Sequence, residues 1–390
     1  MATGGRLASI PTVNVHPEEA RRWLLYSTAA DSELGEGPAG LDALYRSLGI
    51  IQLDPIDRAG TSPELVAWAR VSGLRRGELF RYSAGRVFEH FAKERCLIDA
   101  RFFPYYRDQA LETPWWRNTE RMLRISESLL NEVEAEVRER GSLPSEALSD
   151  RGRAEPIDWG GWKSTSRAAV LAAEVLWTRC RLVVAARDGR GRRLYDLPER
   201  ALGGAASAPR TGDFGEDMLL ERVRVAGLLC RAGGPMWSVL SGVRTDGTVE
   251  RLLEQGRLLQ VQVGDAARPY LALPELRSGP PAASAREPVV LGPLDPLLWD
   301  RVLVKLAFNF EYIWEVYKPA PTRRWGYYVC PVLSEGKLIA RVEAQRNGDT
   351  LEVVVSGSAP PRTVSAALER LATSNGCKKV RIDASRTIPE

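Results

Sequence analysis

Histidine, lysine and paired cysteines are scarce in this chain of 390 residues, and each shortage removes a class of chemistry. The five cysteines, Cys96, Cys180, Cys230, Cys330 and Cys377, stand far apart, and none lies within a CxxC. With only His16 and His90 to join them, neither zinc-ligand spacing nor a disulfide framework can be assembled, so no metal and no cofactor are expected. An odd number of isolated thiols suits a reducing compartment. Carboxylates do not cluster as a metal-dependent nuclease requires. No apolar run approaches the roughly 18 residues of a membrane span, and the opening MATGGRLASIPTVNV lacks a signal-peptide core. The expected location is the cytoplasm.

An excess of one charge is missing too. Fifty-four Lys and Arg face 50 Asp and Glu, a net charge of +4, so bulk charge does not prove a polyanionic partner. Only seven of those cations are Lys and 47 are Arg. GC-rich codon usage accounts for such a bias, and planar guanidinium forks that grip phosphate are compatible with it. Hydrophobic residues at 44% and charged residues at 27% are ordinary for a folded chain. The length is about two to four times that of a typical domain, so several cores are expected.

Residues 17–30 place a Pro and two acids ahead of an apolar stripe, a helix start. After the break GEGPAG (35–40), LDALYRSLGII reads as a second amphipathic helix running into the extended QLDPI. SPELVAWARV (62–71) reads as a helix capped by Ser62 with Pro63 in the first turn, and the stretch that follows shows helical and then strand-like spacing. Residues 104–140 form a charged helical connector. From residue 141 a helix hands over to the strand RLVVAA, the turn RDGRGR and the return strand RLYDL, the order of a recognition helix and its wing. The same grammar returns after residue 206, with LLQVQV and PYLAL as the strands. The spacing of roughly 75 residues exceeds that of solenoid repeats. A Pro/Gly/Ala/Ser-rich linker (277–288) precedes strands joined by EGK and NGD turns and a terminal helix, TVSAALERLATSNG. The expected fold is α+β, with three tandem winged-helix modules plus a C-terminal antiparallel β-domain. Its expected divisions are module 1 (1–110), the connector (111–140), module 2 (141–205), module 3 (206–276) and the β-rich domain (289–390).

Two segments carry candidate chemistry. In GIIQLDPIDRAGTSPE (49–64), Gln52 and Asp54 are two apart, so an extended backbone sends both side chains to one face while Leu53 points into the core. An amide can orient a water or sugar oxygen, and a carboxylate can deprotonate water or stabilise an oxocarbenium ion. Taken alone, Asp54 fits a capping aspartate in a loop better. In YKPAPTRRWGYY (317–328), cations and aromatics on a Pro-stiffened loop suit phosphate contact and stacking on an exposed base, although the aromatics also suit a sheet core.

Together with LVAWAR (65–70), FEHFAKE (88–94), YDLPER (195–200) and LGPLDPLLWDR (291–301), these segments resemble the YcaQ/AlkZ family of bacterial DNA glycosylases. The resemblance spans nearly the whole chain. It implies three winged-helix modules plus a β-domain, with a Gln-apolar-Asp catalytic motif in the first module, here Gln52 and Asp54. The implied activity is monofunctional hydrolysis of the N-glycosidic bond of N7- or N3-alkylated purines, with unhooking of interstrand crosslinks as an extension. No lysine lies near the motif in sequence, so a Schiff-base nucleophile is not indicated. Arg58, Thr61, Lys318, Arg323, Arg324 and Trp325 are the expected DNA contacts, and His90 is expected to be structural or to line the substrate rather than act as a base. The partner implied is double-stranded DNA carrying alkylated or crosslinked bases, met by a monomer near the nucleoid. A non-enzymatic winged-helix regulator and an architectural DNA-binding protein are the rival readings.

Overall fold

The first helix forms at Pro17–Ser27, where His16 Nδ1 accepts the Glu18 amide and Glu18 and Glu19 face the positive helix end. The computed structural model describes residues 11–112, 124–155, 165–189, 191–280, 286–356, 361–383 and 388. Its contacts divide the chain into two units, one of residues 1–76, 92–94 and 215–390, the other of residues 77–91 and 95–214.

In the first unit, strand Thr12–Val15 runs parallel to Leu259–Val263, which pairs antiparallel with Tyr270–Ala272 and through it with Leu229–Cys230. One core draws on Trp23 and Leu24 of the first helix, Val261 and Tyr270 of this sheet, and Leu291, Leu298 and Val304 beyond it. The compact units therefore do not follow the five expected segments. A parallel pairing such as Thr12 with Gln260 leaves no trace in local periodicity.

The C-terminal sheet runs in the order Val289–Val290, Val329–Ser334, Lys337–Asn347, Thr350–Ser356, Lys379–Ile382. Its first three pairings are antiparallel, with the EGK and NGD turns between the long strands. The last pairing is parallel, following the helix Pro361–Ser374. The expectation of a wholly antiparallel domain ending on a helix is corrected here. A four-residue strand of sequence KVRI, with two cations, is too short and polar to stand out.

The second unit orders a helix Glu127–Arg140, strand Leu143–Pro144, a 3-10 turn, helix Ala168–Thr178 and the strand pair Val183–Arg187 and Arg193–Asp196. The first strand neighbours the third. Further along the chain Phe214–Ala226, Leu229–Cys230, a 3-10 turn, Thr248–Glu254, Leu259–Val263 and Tyr270–Ala272 repeat that order and that strand adjacency. The charged stretch 127–140 is more than a connector. Leu130, Val133 and Val137 are fully buried in the core of its unit, and the charges occupy the outward face. Among the described residues, no helix is long and apolar enough to cross a membrane.

What positions the motif is the short helix Ser62–Trp68. Thr61, not the expected Ser62, is its cap, in a capping box with Glu64. Gly60 precedes it at φ +116, where an added Cβ would meet the Trp68 ring at 2.4 Å, so only glycine fits. Just past the helix, Arg70 is fully buried and forks onto Asp295 at 2.7 and 2.8 Å, while its remaining donors reach the carbonyls of Thr28 and Val66. Asp295→Ala strands a buried guanidinium, and a loss of about 3–5 kcal/mol is expected, measured by equilibrium chemical denaturation. A loss below about 1 kcal/mol contradicts a structural role for the pair.

Candidate active site

Strand Ile50–Gln52 ends on the first motif residue, so strand alternation does not direct Asp54, and the expected shared face is replaced by two different environments. Gln52 is buried, and its Oε1 accepts from Lys93 Nζ at 2.6 Å. Lys93 is buried as well, its ammonium 5.7 Å from the centre of the Trp299 ring. Asp54 is half-buried in the loop that follows, and its Oδ1 accepts the Ile56 amide at 2.9 Å. Burial raises the Asp54 pKa above the ordinary 3.8, with the Ile56 N–H pulling the other way. The capping reading of Asp54 thus holds for one oxygen, which fixes the carboxylate while the group stays partly open to solvent. A carboxylate with a raised pKa is a better proton acceptor than an ordinary one.

The rest of the loop is pinned from several sides. Asp57 pairs with Arg76, whose guanidinium also reaches Asn375 Oδ1. Asn375 donates to the Ala59 carbonyl and the Arg346 amide to the Arg58 carbonyl. Arg58 connects this loop to the second segment, for its guanidinium is 5.7 Å from the Tyr327 ring, and that of Arg323 is 4.9 Å from the same ring. The Tyr328 phenol is buried, with no hydrogen-bond partner for its oxygen among the described residues. Burial raises its pKa, and the charges of Asp54 and Asp57 add to the effect, so it stays a protonated donor. The two segments that are far apart in sequence are therefore brought together.

Two carboxylates fold the second segment. Glu315 accepts from Lys318 Nζ and from the amides of Arg324 and Trp325, and Glu343 accepts from the amides of Tyr327 and Tyr328. Burial alone would raise the Glu315 pKa, but the Lys318 ammonium and the two amides bring it down to about 2. Lys318 and Arg324 remain exposed, and Arg323 is half-exposed beside Tyr327.

Three expected contacts fall elsewhere. Trp325 is buried, with Arg324 and Arg341 each packed over its ring, so it fills a core instead of stacking on a base. The Thr61 hydroxyl donates to Glu64 as part of the helix cap. His90 is sealed within the second unit, its Nε2 donating to the Thr178 carbonyl at 3.1 Å and its ring 5.2 Å from those of Tyr106 and Trp177, a core histidine rather than a substrate-lining one. Lys93, Tyr327 and Tyr328 are the site residues that sequence reasoning passed over. The two tyrosines sat inside the quoted WGYY, and the signal for Lys93 was its rarity in an arginine-rich chain. Among the described residues, no group of three or more His, Cys, Asp or Glu is placed to hold a metal ion.

A family model described as DNA glycosylase AlkZ-like matches residues 45–374, which include both segments. Among solved structures, the Streptomyces sahachiroi DNA glycosylase AlkZ is similar, with a TM-score of 0.60 and 16% identity over 95% of this chain and 100% of that one. At that identity the likeness is one of fold.

Burial pushes the His90 pKa down from 6.5 to about 4. The unfolded chain therefore takes up this proton first, and stability present above pH 6.5 is lost as the pH falls from 6.5 towards 4, by about 3 kcal/mol in all. His90→Gln is expected to be less stable at neutral pH yet to lose less on acidification. Denaturation midpoints at about pH 7.5 and about pH 5 measure this, and equal acid losses in the two proteins contradict it.

Proposed function

The chain belongs to the AlkZ-like DNA glycosylase family, and from that premise we propose that it releases N7- and N3-alkylated purines from duplex DNA by monofunctional hydrolysis, with Asp54 and Gln52 at the reacting centre. Membership of an enzyme family sets aside the regulator and architectural readings. The observation that carries the reading is the placement of Asp54: half-buried, tethered through one oxygen, raised in pKa, and beside a loop rich in cations and aromatics.

A purine alkylated at N7 or N3 is cationic and leaves without help from a general acid, so a single carboxylate suffices. Asp54 stabilises the positive charge that develops on the deoxyribose and accepts the proton of the water that attacks C1′. Arg58, Arg323, Arg324 and Lys318 supply phosphate contacts that are sensitive to salt and indifferent to sequence, and two of them, Arg58 and Arg323, are carried on the Tyr327 ring. The recurring order of helix, strand, turn, helix and strand pair fits winged-helix modules that hold the duplex. Lys93 stands close to the motif in space, which sequence distance concealed. Its Nζ donates to Gln52 as an ammonium, though, and an ammonium has no lone pair to attack with, so hydrolysis without a covalent adduct remains the proposed course. A crosslinked base cannot swing freely out of the duplex, and a half-exposed Asp54 suits attack on such a base in place.

Asp54→Asn is expected to lower single-turnover release of N7-methylguanine by on the order of 10²–10⁴-fold while duplex affinity is retained. Full release by this variant contradicts the assignment, and a borohydride-trapped adduct contradicts monofunctional hydrolysis. Arg323→Ala is expected to weaken binding of all duplexes alike and to reduce the salt-dependence slope by about 1. An unchanged slope contradicts phosphate contact at Arg323.

A further inference from the structure

Lys93 directly follows the strand Val87–Ala92 and precedes Glu94, whose φ of +62 is a left-handed conformation that a residue with a Cβ adopts at a cost. The turn places Lys93 at 7% exposure, with Nζ 2.6 Å from Gln52 Oε1 and over the Trp299 ring. Burying an ammonium costs several kcal/mol unless it is paired. In a chain with 47 arginines and seven lysines, a lysine in this position is a chemical choice rather than the default cation. An ammonium only donates, so the Gln52 atom that faces it must be the carbonyl oxygen. That settles the amide's orientation. Its nitrogen then has no hydrogen-bond partner among the described residues, and it is not a sealed atom.

We infer that Lys93 is a positioning residue for the glycosylase reaction, locking the Gln52 amide so that its NH2 donates to a sugar or phosphate oxygen of the lesion-bearing nucleotide and leaves water activation to Asp54. This rests on the assignment of Gln52 and Asp54 to the reacting centre. With one lone pair of Oε1 occupied by Lys93, and an amide oxygen far less basic than a carboxylate, the water proton goes to Asp54. In the resulting step the water oxygen bonds to C1′, its proton passes to Asp54, and the glycosidic bond breaks with its electron pair leaving on the cationic purine. The ammonium also draws electron density from Oε1 and strengthens the amide N–H as a donor.

Lys93→Met keeps an aliphatic stem without the donor, and Lys93→Arg keeps donor and charge. Lys93→Met is expected to slow single-turnover release of N7-methylguanine by on the order of 10–100-fold with duplex affinity unchanged, and Lys93→Arg is expected to recover part of the loss. In a Gln52→Ala background Lys93→Met is expected to add nothing, because the two residues act as one unit. Additive losses overturn the proposal, as does a borohydride-trapped adduct at Lys93. A second readout needs no substrate. Selective ¹⁵N labelling of the six glutamines, with Gln52→Ala to identify the signal, is expected to show Gln52 side-chain amide resonances displaced from free-glutamine positions and returning towards them in Lys93→Met. Resonances insensitive to Lys93→Met overturn the lock. Wild-type protein that shows the lock yet releases no base refutes the assigned substrate and leaves the lock standing.

Discussion

The buried pairing of Arg70 with Asp295 is the constraint on which the placement of the motif rests. Both side chains are fully buried, and the fork is bidentate. The pair ties the end of helix Ser62–Trp68 to the LGPLDP turn, and Asp295 also accepts the Leu297 amide that starts the next turn. Gly292 of the same segment lies so close to the helix that a Cβ there would sit 3.0 Å from the Leu65 Cβ. Two consequences follow along the chain. The loop from Asp54 to Thr61 is held at its helical end, and Trp299, four residues beyond Asp295, is set against Lys93. A hydrolytic site gains rate from groups held in place before the substrate arrives, and this scaffold holds an amide and a carboxylate without a metal-ligand constellation among the described residues.

A second layer of carboxylates shapes the surface beside the motif. Glu315 and Glu343 are taken up by backbone amides of the aromatic loop, and the cations that surround the loop remain largely at the surface. Carboxylates near a phosphate-binding surface would ordinarily repel the ligand. Here both carboxylates are turned onto backbone amides, and the outward features are the exposed Lys318 and Arg324 with Arg58 and Arg323 half-exposed against the Tyr327 ring.

Much of this was legible in the order of residues. The helix at Pro17–Ser27, the strand pair around RDGRGR and the EGK and NGD turns all follow from short-range signals. What was hidden depends on partners remote in sequence. Thr12–Val15 finds its sheet beside Leu259–Val263, Asp295 belongs to the scaffold through Arg70, and Lys93 reaches Gln52 across 41 residues. The aromatic loop misled for a different reason. Trp325 and Tyr327 are two apart in the same stretch, and contacts remote in sequence, Arg341 on Trp325 and Arg58 on Tyr327, are what distinguish them. The charged helix Glu127–Arg140 misled because its polar residues outnumber the narrow apolar stripe that buries it.

In the proposed reaction a pre-positioned amide and carboxylate face the anomeric carbon of a damaged nucleotide. The most direct measurement is the structure of the Asp54→Asn protein bound to a duplex carrying an N7-alkylated purine. The expected complex has C1′ of the damaged nucleotide within one water of the substituted side chain at position 54, with a heavy-atom separation of about 3–3.5 Å between that water and C1′, and the Gln52 amide nitrogen on the same nucleotide. A lesion bound away from this loop, with the side chain at position 54 and that of Gln52 both facing bulk solvent, would contradict it.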